Sequence, residues 1–139
     1  SNSEIRGLHL FRTKARCMNC HNGPLFSDNG FLNNGVHLNG NPQNDRGLYN
    51  VTHLDADIGK FKTPSIRDVM KTGPWMHNGQ TRSMIDVIEH YNKGAEANGG
   101  SDSLIKVIFL SNREKTDLLA FLNAISAPPL EFNKPVLPE

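Results

Sequence analysis

The chain has 139 residues, of which 37% are apolar, and a formal charge of +1 at neutral pH. This length fits one domain, and a near-neutral chain without a basic cluster is not typical of a nucleic-acid-binding protein. No apolar run approaches the ~20 residues that a membrane-spanning helix needs. The first residues, Ser1 to Ser3, lack the charged and apolar regions of a signal peptide.

The N-terminal segment predicts a first helix, from about Glu4 to Arg16. Ile5, Leu8 and Phe11 recur there near helical spacing, with basic residues between them. Such a helix would deliver the two cysteines of the chain at its end.

Both cysteines lie in the segment Cys17-Met18-Asn19-Cys20-His21. This spacing is typical of c-type haem attachment, in which each thiol adds to a vinyl group of the porphyrin and the histidine binds the iron. Three alternatives compete with it. A thioredoxin-like redox pair needs a strand-helix-strand setting, which the flanking sequence does not show. A zinc site needs two further ligands, and a local disulfide leaves the histidine unexplained. We therefore predict one covalently attached haem.

A long irregular stretch follows, from Asn22 to Thr63, rich in glycine, asparagine, aspartate and proline. Such a stretch inside a compact domain is usually functional or wraps a ligand. Four apolar side chains are expected to anchor it at the porphyrin edge: Phe26, Phe31, Leu32 and Val36.

A second, short helix is predicted to begin at Thr63-Pro64, because threonine can cap a helix and proline suits its first position, and to end at Gly73. Arg67 would lie on this helix. It is either an ordinary surface arginine or a partner of a haem propionate, which a guanidinium can bind through two parallel hydrogen bonds.

The next segment, Gly73 to Gly79, has the glycines and the proline of a tight loop. It places Trp75, Met76 and His77 side by side, and all three are potential haem neighbours.

Two amphipathic helices complete the domain. One is capped by Thr81 or Ser83 and runs to about Asn92. The other begins with the capping-box pair of Ser111 and Glu114 and is stopped by Pro128-Pro129. Each helix has four apolar residues at positions i, i+3, i+4 and i+7: Met84, Val87, Ile88 and Tyr91 in the first, and Leu118, Phe121, Leu122 and Ile125 in the second. The predicted fold is all-α, with about four helices around the haem and long irregular loops.

His21 would fill one axial position of the iron, and several side chains compete for the other. Met76 offers a thioether, which suits a high-potential electron relay. Tyr91 offers a phenolate, which favours ferric iron and lowers the potential. His77 or His90 would give a bis-histidine site, and an open position would admit peroxide or a gas.

Together these segments resemble the C-terminal haem domain of the bacterial di-haem cytochrome c peroxidase and MauG family. The matching pieces run in the family's order over nearly the full chain: Gly7 to Phe11, Cys17 to His21, Gly23 to Asp28, Gly59 to Val69, Thr72 to Gly79, Val87 to Gly94 and Asp117 to Leu122. The resemblance implies a cytochrome c-like domain spanning residues 1–139, which forms the C-terminal half of a larger periplasmic di-haem protein.

The resemblance also implies a division of labour. This domain would accept electrons from a small cytochrome or copper protein and pass them to a peroxide-reducing haem in an N-terminal domain. No catalytic residue is therefore expected here, and the domain alone would reduce peroxide poorly. The export signal would lie outside this sequence, and Ser1 to Ser3 would be a tag remnant. The alternatives are a stand-alone mono-haem electron carrier or sensor, and a haem-free structural domain.

For the distal ligand, the resemblance ranks Tyr91 first, at the position of a methionine in the peroxidases and of a tyrosine in MauG-type proteins, and Met76 second. Pro64, Arg67 and His77 match family positions near the haem, and Phe26 and Trp75 are expected beside them. The carbonyls of Thr72 and Pro74 match part of an interdomain calcium site. That site would be incomplete in this chain, because its remaining protein ligand belongs to the other domain.

Overall fold

The computed structural model describes residues 1–36, 45–95 and 101–128. Within these ranges the fold is mostly helical, as predicted. The α-helices are α1 (Asn2–Arg12), α2 (Tyr49–Thr52), α3 (Met84–Asn92) and α4 (Asn112–Ala124), and single 3-10 turns span Cys17–Asn19, Asp55–Asp57 and Val69–Lys71. Two short strands, β1 (Phe31–Leu32) and β2 (Phe61–Lys62), form an antiparallel pair that the sequence did not predict. In the described part of the chain, no helix is long and apolar enough to cross a membrane.

The centre of the fold is the packing of α1 against α4. Gly7 lies where the two helices approach most closely, since a Cβ atom there would lie 2.0 Å from the carbonyl oxygen of Asp117. Arg6 forms an ion pair with the carboxylate of Asp117 through Nε and Nη2, both at 2.8 Å. Around these contacts the two helices bury a shared set of apolar side chains: Leu10, Phe11, Leu118, Phe121 and Leu122.

The first helix differs from its prediction in its end and in its buried face. It ends at Arg12 rather than Arg16, which adopts a left-handed conformation (φ 59°) just before the cysteine turn. Ile5 is 67% exposed and Leu8 40% exposed, whereas Phe11 is buried. The face toward α4 instead contains Gly7, because the close approach of the two backbones leaves no room for a side chain.

The predicted helix from Thr63 to Gly73 is wrong. Only the 3-10 turn Val69–Lys71 forms there, and Asp68 before it has a left-handed backbone (φ 56°). In a helix, the carbonyls of Thr63 and Pro64 would accept from N–H groups four residues later. Here they accept from Ser27 and His21 instead, so tertiary contacts replace the helical ones.

The last two predicted helices are confirmed as α3 and α4. Ser111 and Glu114 form the predicted capping box: the Ser111 hydroxyl accepts from the Glu114 N–H at 3.3 Å, and the Glu114 carboxylate accepts from the Ser111 N–H at 2.8 Å. The predicted apolar faces of both helices pack inward, with Ile88 and Leu118 buried. Pro129 lies outside the described residues.

The long stretch from Asn22 to Thr63 is less irregular than predicted, since it contains β1, α2 and β2. Its residues 37–44 lie outside the described ranges. Of its four predicted anchors, Val36 is fully buried and Phe31 is 44% exposed; Phe26 and Leu32 are half-buried.

Candidate functional site

The two cysteines lie on a tight turn, which begins just after Arg16. The Cys20 and His21 N–H groups donate to the carbonyl of Cys17 at 3.2 and 2.9 Å, which closes the turn. Both thiols are free and half-buried. Burial raises the pKa of Cys17 to about 12. Burial also raises the pKa of Cys20, and the negative charge of Asp28 adds to this effect.

The imidazole of His21 is held in one orientation by two main-chain carbonyls. Its Nδ1 lies 3.1 Å from the oxygen of Phe26 and 3.1 Å from that of Pro64. A carbonyl oxygen can only accept, so Nδ1 must carry the proton and Nε2 must hold the free lone pair. Burial lowers the pKa of His21, although both carbonyls and Asp28 oppose the shift. The arrangement leaves Nε2 neutral and available to a metal, in the way that ligand histidines are oriented in metal sites.

The segment 63–67 acts as a clamp on the loop that follows the cysteine turn. Besides the contact of Pro64 with His21, the buried hydroxyl of Ser27 donates to the carbonyl of Thr63 at 2.7 Å. Arg67 donates to the carbonyl of Pro24 through Nε at 2.9 Å and through a second guanidinium nitrogen. These contacts fix the loop that supplies the Phe26 carbonyl. Arg67, predicted as a surface arginine or a propionate partner, is exposed and bound to main chain in this clamp.

Apolar side chains border His21 on its α1 side. Phe26 packs its ring edge-on against Phe11, with centroids 6.3 Å apart and planes at 72°. Leu8, Phe11, Met18 and Phe26 line the same shallow pocket as His21. The imidazole therefore has a largely apolar surrounding, which an apolar cofactor could share.

Tyr91 and Met76, the two predicted distal ligands, meet at one side chain that the sequence analysis did not single out. The amide nitrogen of Asn34 lies 3.2 Å from the Tyr91 hydroxyl oxygen and 3.8 Å from the Met76 sulfur. Tyr91 comes from α3 and Met76 from the loop before it. Asn34, just after β1, therefore contacts both candidate ligand atoms, the Tyr91 oxygen and the Met76 sulfur.

The surroundings of Tyr91 act on the proton affinity of its phenol. Burial raises the pKa of Tyr91, and the nearby Cys17 and Cys20 raise it further, while the hydrogen bond from Asn34 opposes the shift. The charges of the two thiols therefore act on the phenol, in addition to its burial.

Three other predicted residues have definite contacts elsewhere. His77 is exposed and stacks on Phe61, with ring centroids 3.7 Å apart and planes 13° from parallel. His90 places Nε2 at 2.9 Å from the carbonyl oxygen of Asn34, so this nitrogen donates there. Trp75 donates its indole N–H to the carbonyl of Val69 at 2.8 Å and packs against the core.

The metal alternatives gain no support from the described ranges. No group of three or more histidine, cysteine, aspartate or glutamate side chains is placed to hold a metal ion in residues 1–36, 45–95 and 101–128. The zinc interpretation of the thiols therefore finds no further ligands there. Thr72 and Pro74, whose carbonyls match part of a calcium site, are exposed next to the turn Val69–Lys71.

The sequence analysis missed Asn34, Ser27 and Thr63 as site residues. Asn34 follows another asparagine in a loop, where such residues are expected for turn formation alone. Thr63 was interpreted as a helix cap. No local pattern points to any of the three residues, since each acts through a contact at least 36 residues away along the chain.

Comparison with known proteins gives a consistent set of relatives, although no family model matches the chain. It is 35% identical over 164 residues to cytochrome-c peroxidase IdrP1 of Pseudomonas sp. (strain SCT), covering 98% of this chain and 43% of that protein. It is 39% identical over 133 residues to the methylamine utilization protein MauG of Methylorubrum extorquens, covering 96% and 37%. Among solved structures, a MauG-like protein associated with microbial copper homeostasis matches with a TM-score of 0.82 and 29% identity, over 90% of this chain and 44% of that one.

A thiol pair on a tight turn, followed by an imidazole with a free Nε2, is the donor set of a c-type cytochrome domain. The homologues of this chain are cytochrome-c peroxidases and MauG proteins, and the chain corresponds to their C-terminal part. This confirms the resemblance predicted from the sequence. The chain spans less than half the length of these relatives, 43% of IdrP1.

Proposed function

We propose that this chain is the electron-transfer haem domain of a di-haem peroxidase or MauG-like oxidoreductase. Cys17 and Cys20 would hold one haem c covalently and His21 would be the proximal ligand, with Tyr91 as the distal ligand and Met76 as the second choice. The haem would supply a one-electron iron couple. A small cytochrome or copper protein would donate the electron to it, and a peroxide-reducing haem in an N-terminal domain would accept the electron. The setting would be periplasmic.

The orientation of His21 carries this proposal. Two main-chain acceptors on Nδ1 leave Nε2 as the free donor, directly after the two thiols. A catalytic or redox dithiol would not need this arrangement, and a structural disulfide would not explain it. Similarity to di-haem peroxidases and MauG proteins over nearly the whole chain supports the same cofactor.

The residues of the chain would each have a limited task. The 63–67 clamp holds the His21 ring so that Nε2 stays deprotonated and points away from the main chain. Phe11 and Phe26 would give the α1 side of that ring an apolar border. Asn34 keeps the Tyr91 oxygen and the Met76 sulfur near each other on the far side. None of these residues needs to transfer a proton to a substrate.

The test is the visible spectrum and the mass of the protein matured with the haem-attachment machinery of a bacterial periplasm. We expect a Soret band and a mass raised by one haem. The double variant Cys17→Ser/Cys20→Ser should lose both, whereas Met18→Ser, a control in the same turn, should keep both. A colourless wild-type protein with only the mass of its amino acids would overturn the proposal.

A further inference from the structure

The side chain of Asn34 has an orientation that its neighbours determine. Its Oδ1 accepts from the N–H of Val36 at 3.3 Å, and a main-chain N–H can only donate. The amide nitrogen must therefore face the other way, toward the Tyr91 oxygen at 3.2 Å and the Met76 sulfur at 3.8 Å. The carbonyl of Asn34 is held by Nε2 of His90 at 2.9 Å, so the residue is anchored through main chain and side chain.

We propose that Asn34 is the positioning residue of the distal side, which directs the Tyr91 oxygen rather than the Met76 sulfur toward the iron. This inference rests on the proposed function, since it needs a haem in this interior. It assigns a role to a residue that neither the cysteine motif nor the apolar faces of the helices indicate.

The difference in acceptor strength favours the oxygen, and the hydrogen bond does not prevent ligation. An amide N–H donates more strongly to a hydroxyl or phenolate oxygen than to a thioether, which is a weak acceptor. The oxygen also retains a lone pair for a metal while it accepts from Asn34, so the hydrogen bond and the ligation are compatible. Hydrogen bonds to a metal ligand orient it and tune its donor strength. The Met76 sulfur lies farther from the Asn34 amide nitrogen, at 3.8 Å, and accepts a weaker hydrogen bond from it.

The chain offers a matched control in the preceding residue. Asn33 and Asn34 each accept a main-chain N–H through Oδ1, from Gly35 at 2.9 Å and from Val36 at 3.3 Å. The amide nitrogen of Asn33, however, donates to the carbonyl of Ile58 at 3.3 Å and not to a candidate ligand. Changing either asparagine to aspartate keeps the acceptor oxygen and removes the amide donor. In Asn33→Asp the Ile58 carbonyl loses its hydrogen bond, whereas in Asn34→Asp the Tyr91 oxygen and the Met76 sulfur lose theirs.

The experiment records ferric and ferrous spectra and the midpoint potential of the haem-loaded protein. Wild type is compared with Asn34→Asp, Asn34→Ala and Asn33→Asp, and circular dichroism reports folding. We expect the bands of the axial ligand to shift and the potential to fall in both Asn34 variants, because the donor that withdraws charge from the Tyr91 oxygen is gone. Asn33→Asp should retain the wild-type bands and potential. In a Tyr91→Phe background, Asn34→Ala should cause no further change.

Four results would overturn the inference. Folded, haem-loaded Asn34 variants could keep the wild-type bands and potential, or Asn33→Asp could produce the same shift. The effect of Asn34→Ala could persist without the Tyr91 hydroxyl. Both Asn34 variants could fail to fold while Asn33→Asp folds, which would make Asn34 a structural residue. A wild-type protein without a Soret band is a different outcome, because it overturns the proposed function itself.

Discussion

At the scale of single residues, the two sides of the candidate site are held in different ways. Main-chain carbonyls of Phe26 and Pro64 orient His21, and a carbonyl survives most substitutions of the residue that carries it. Tyr91, by contrast, depends on the side chain of Asn34. The orientation of His21 should therefore tolerate substitution of Phe26 or Pro64 better than that of Tyr91 tolerates substitution of Asn34.

A first prediction concerns the distal ligand. Tyr91→Phe removes the oxygen and keeps the ring, so it should abolish the wild-type axial bands of the ferric protein and raise its midpoint potential, because a phenolate stabilises ferric iron. Met76→Leu, with similar volume and no sulfur, should leave the bands unchanged. Spectra and redox titration of both variants check this, and the reverse pattern would assign the ligand to Met76.

The same residues show how far the sequence could predict the site. The pentad from Cys17 to His21 could be recognised because its chemistry depends on spacing along five residues. Tyr91 and Met76 were found as candidates because each has a donor atom. Asn34 could not be found, since its contacts reach 42 and 57 residues along the chain and its local pattern is that of an ordinary turn.

At the scale of elements, the α1–α4 pair determines how tightly the domain can pack. A second prediction is that Gly7→Ala destabilises the protein. A Cβ at this position would clash with the main chain of α4 at 2.0 Å, and overpacking costs about 1–3 kcal/mol. The clash is with backbone, so the upper end is expected, which exceeds the ~1 kcal/mol that alanine gains in helix propensity.

Chemical denaturation measures this change in the free energy of unfolding. His9→Ala, on the exposed side of the same helix, is the control and should change stability little. Equal stability of Gly7→Ala and wild type would show that α1 and α4 do not approach as closely as described.

A third prediction is a pH dependence of the same pair. The hydrogen bonds from Arg6 and then Ser3 hold the pKa of Asp117 at about 2, below its ordinary value of 3.8. A carboxylate with a lowered pKa stabilises the fold above its ordinary pKa, and this contribution is lost as the pH falls toward the folded value. The difference in Tm between wild type and Asp117→Asn should therefore be largest near about pH 5 and shrink toward about pH 2.

Asp86→Asn, on the exposed side of α3, removes the same charge without breaking this pair. Its Tm difference from wild type should not follow that pH course. A constant difference for Asp117→Asn between the two pH values would argue against the ion pair as its source.

Element boundaries show where sequence reasoning stops. The helices α3 and α4 were predictable because each has four apolar positions at helical spacing, and a capping box also marks the start of α4. The helix predicted from Thr63 rested on local start and stop signals alone, and long-range donors to the carbonyls of Thr63 and Pro64 outweighed them. In α1 the apolar periodicity was real, but the buried face is set by Gly7, which carries no apolar signal.

At the scale of the whole molecule, the chain covers less than half of its relatives. A fourth prediction follows from the proposed division of labour: the haem-loaded chain alone should reduce hydrogen peroxide far more slowly than a complete relative such as IdrP1 in the same assay. Its iron should nevertheless be reduced rapidly by a small redox protein. Stopped-flow spectra measure the reduction of the iron, and steady-state turnover measures the reduction of peroxide. A peroxide turnover that matches that of the complete relative would contradict the proposed division between the two domains.

The clamp formed by residues 63–67 links ligation to folding order. Closing the cysteine turn needs only neighbouring residues, so the thiols can adopt their spacing in a chain that is still largely unfolded. The second acceptor for the imidazole, the Pro64 carbonyl, comes from 43 positions downstream, beyond β2. An N-terminal fragment that ends before residue 60 would retain both cysteines but lose the Pro64 carbonyl, one of the two acceptors that fix the tautomer of His21. In the haem-loaded fragment, we expect an added external base to replace His21 on the iron more readily.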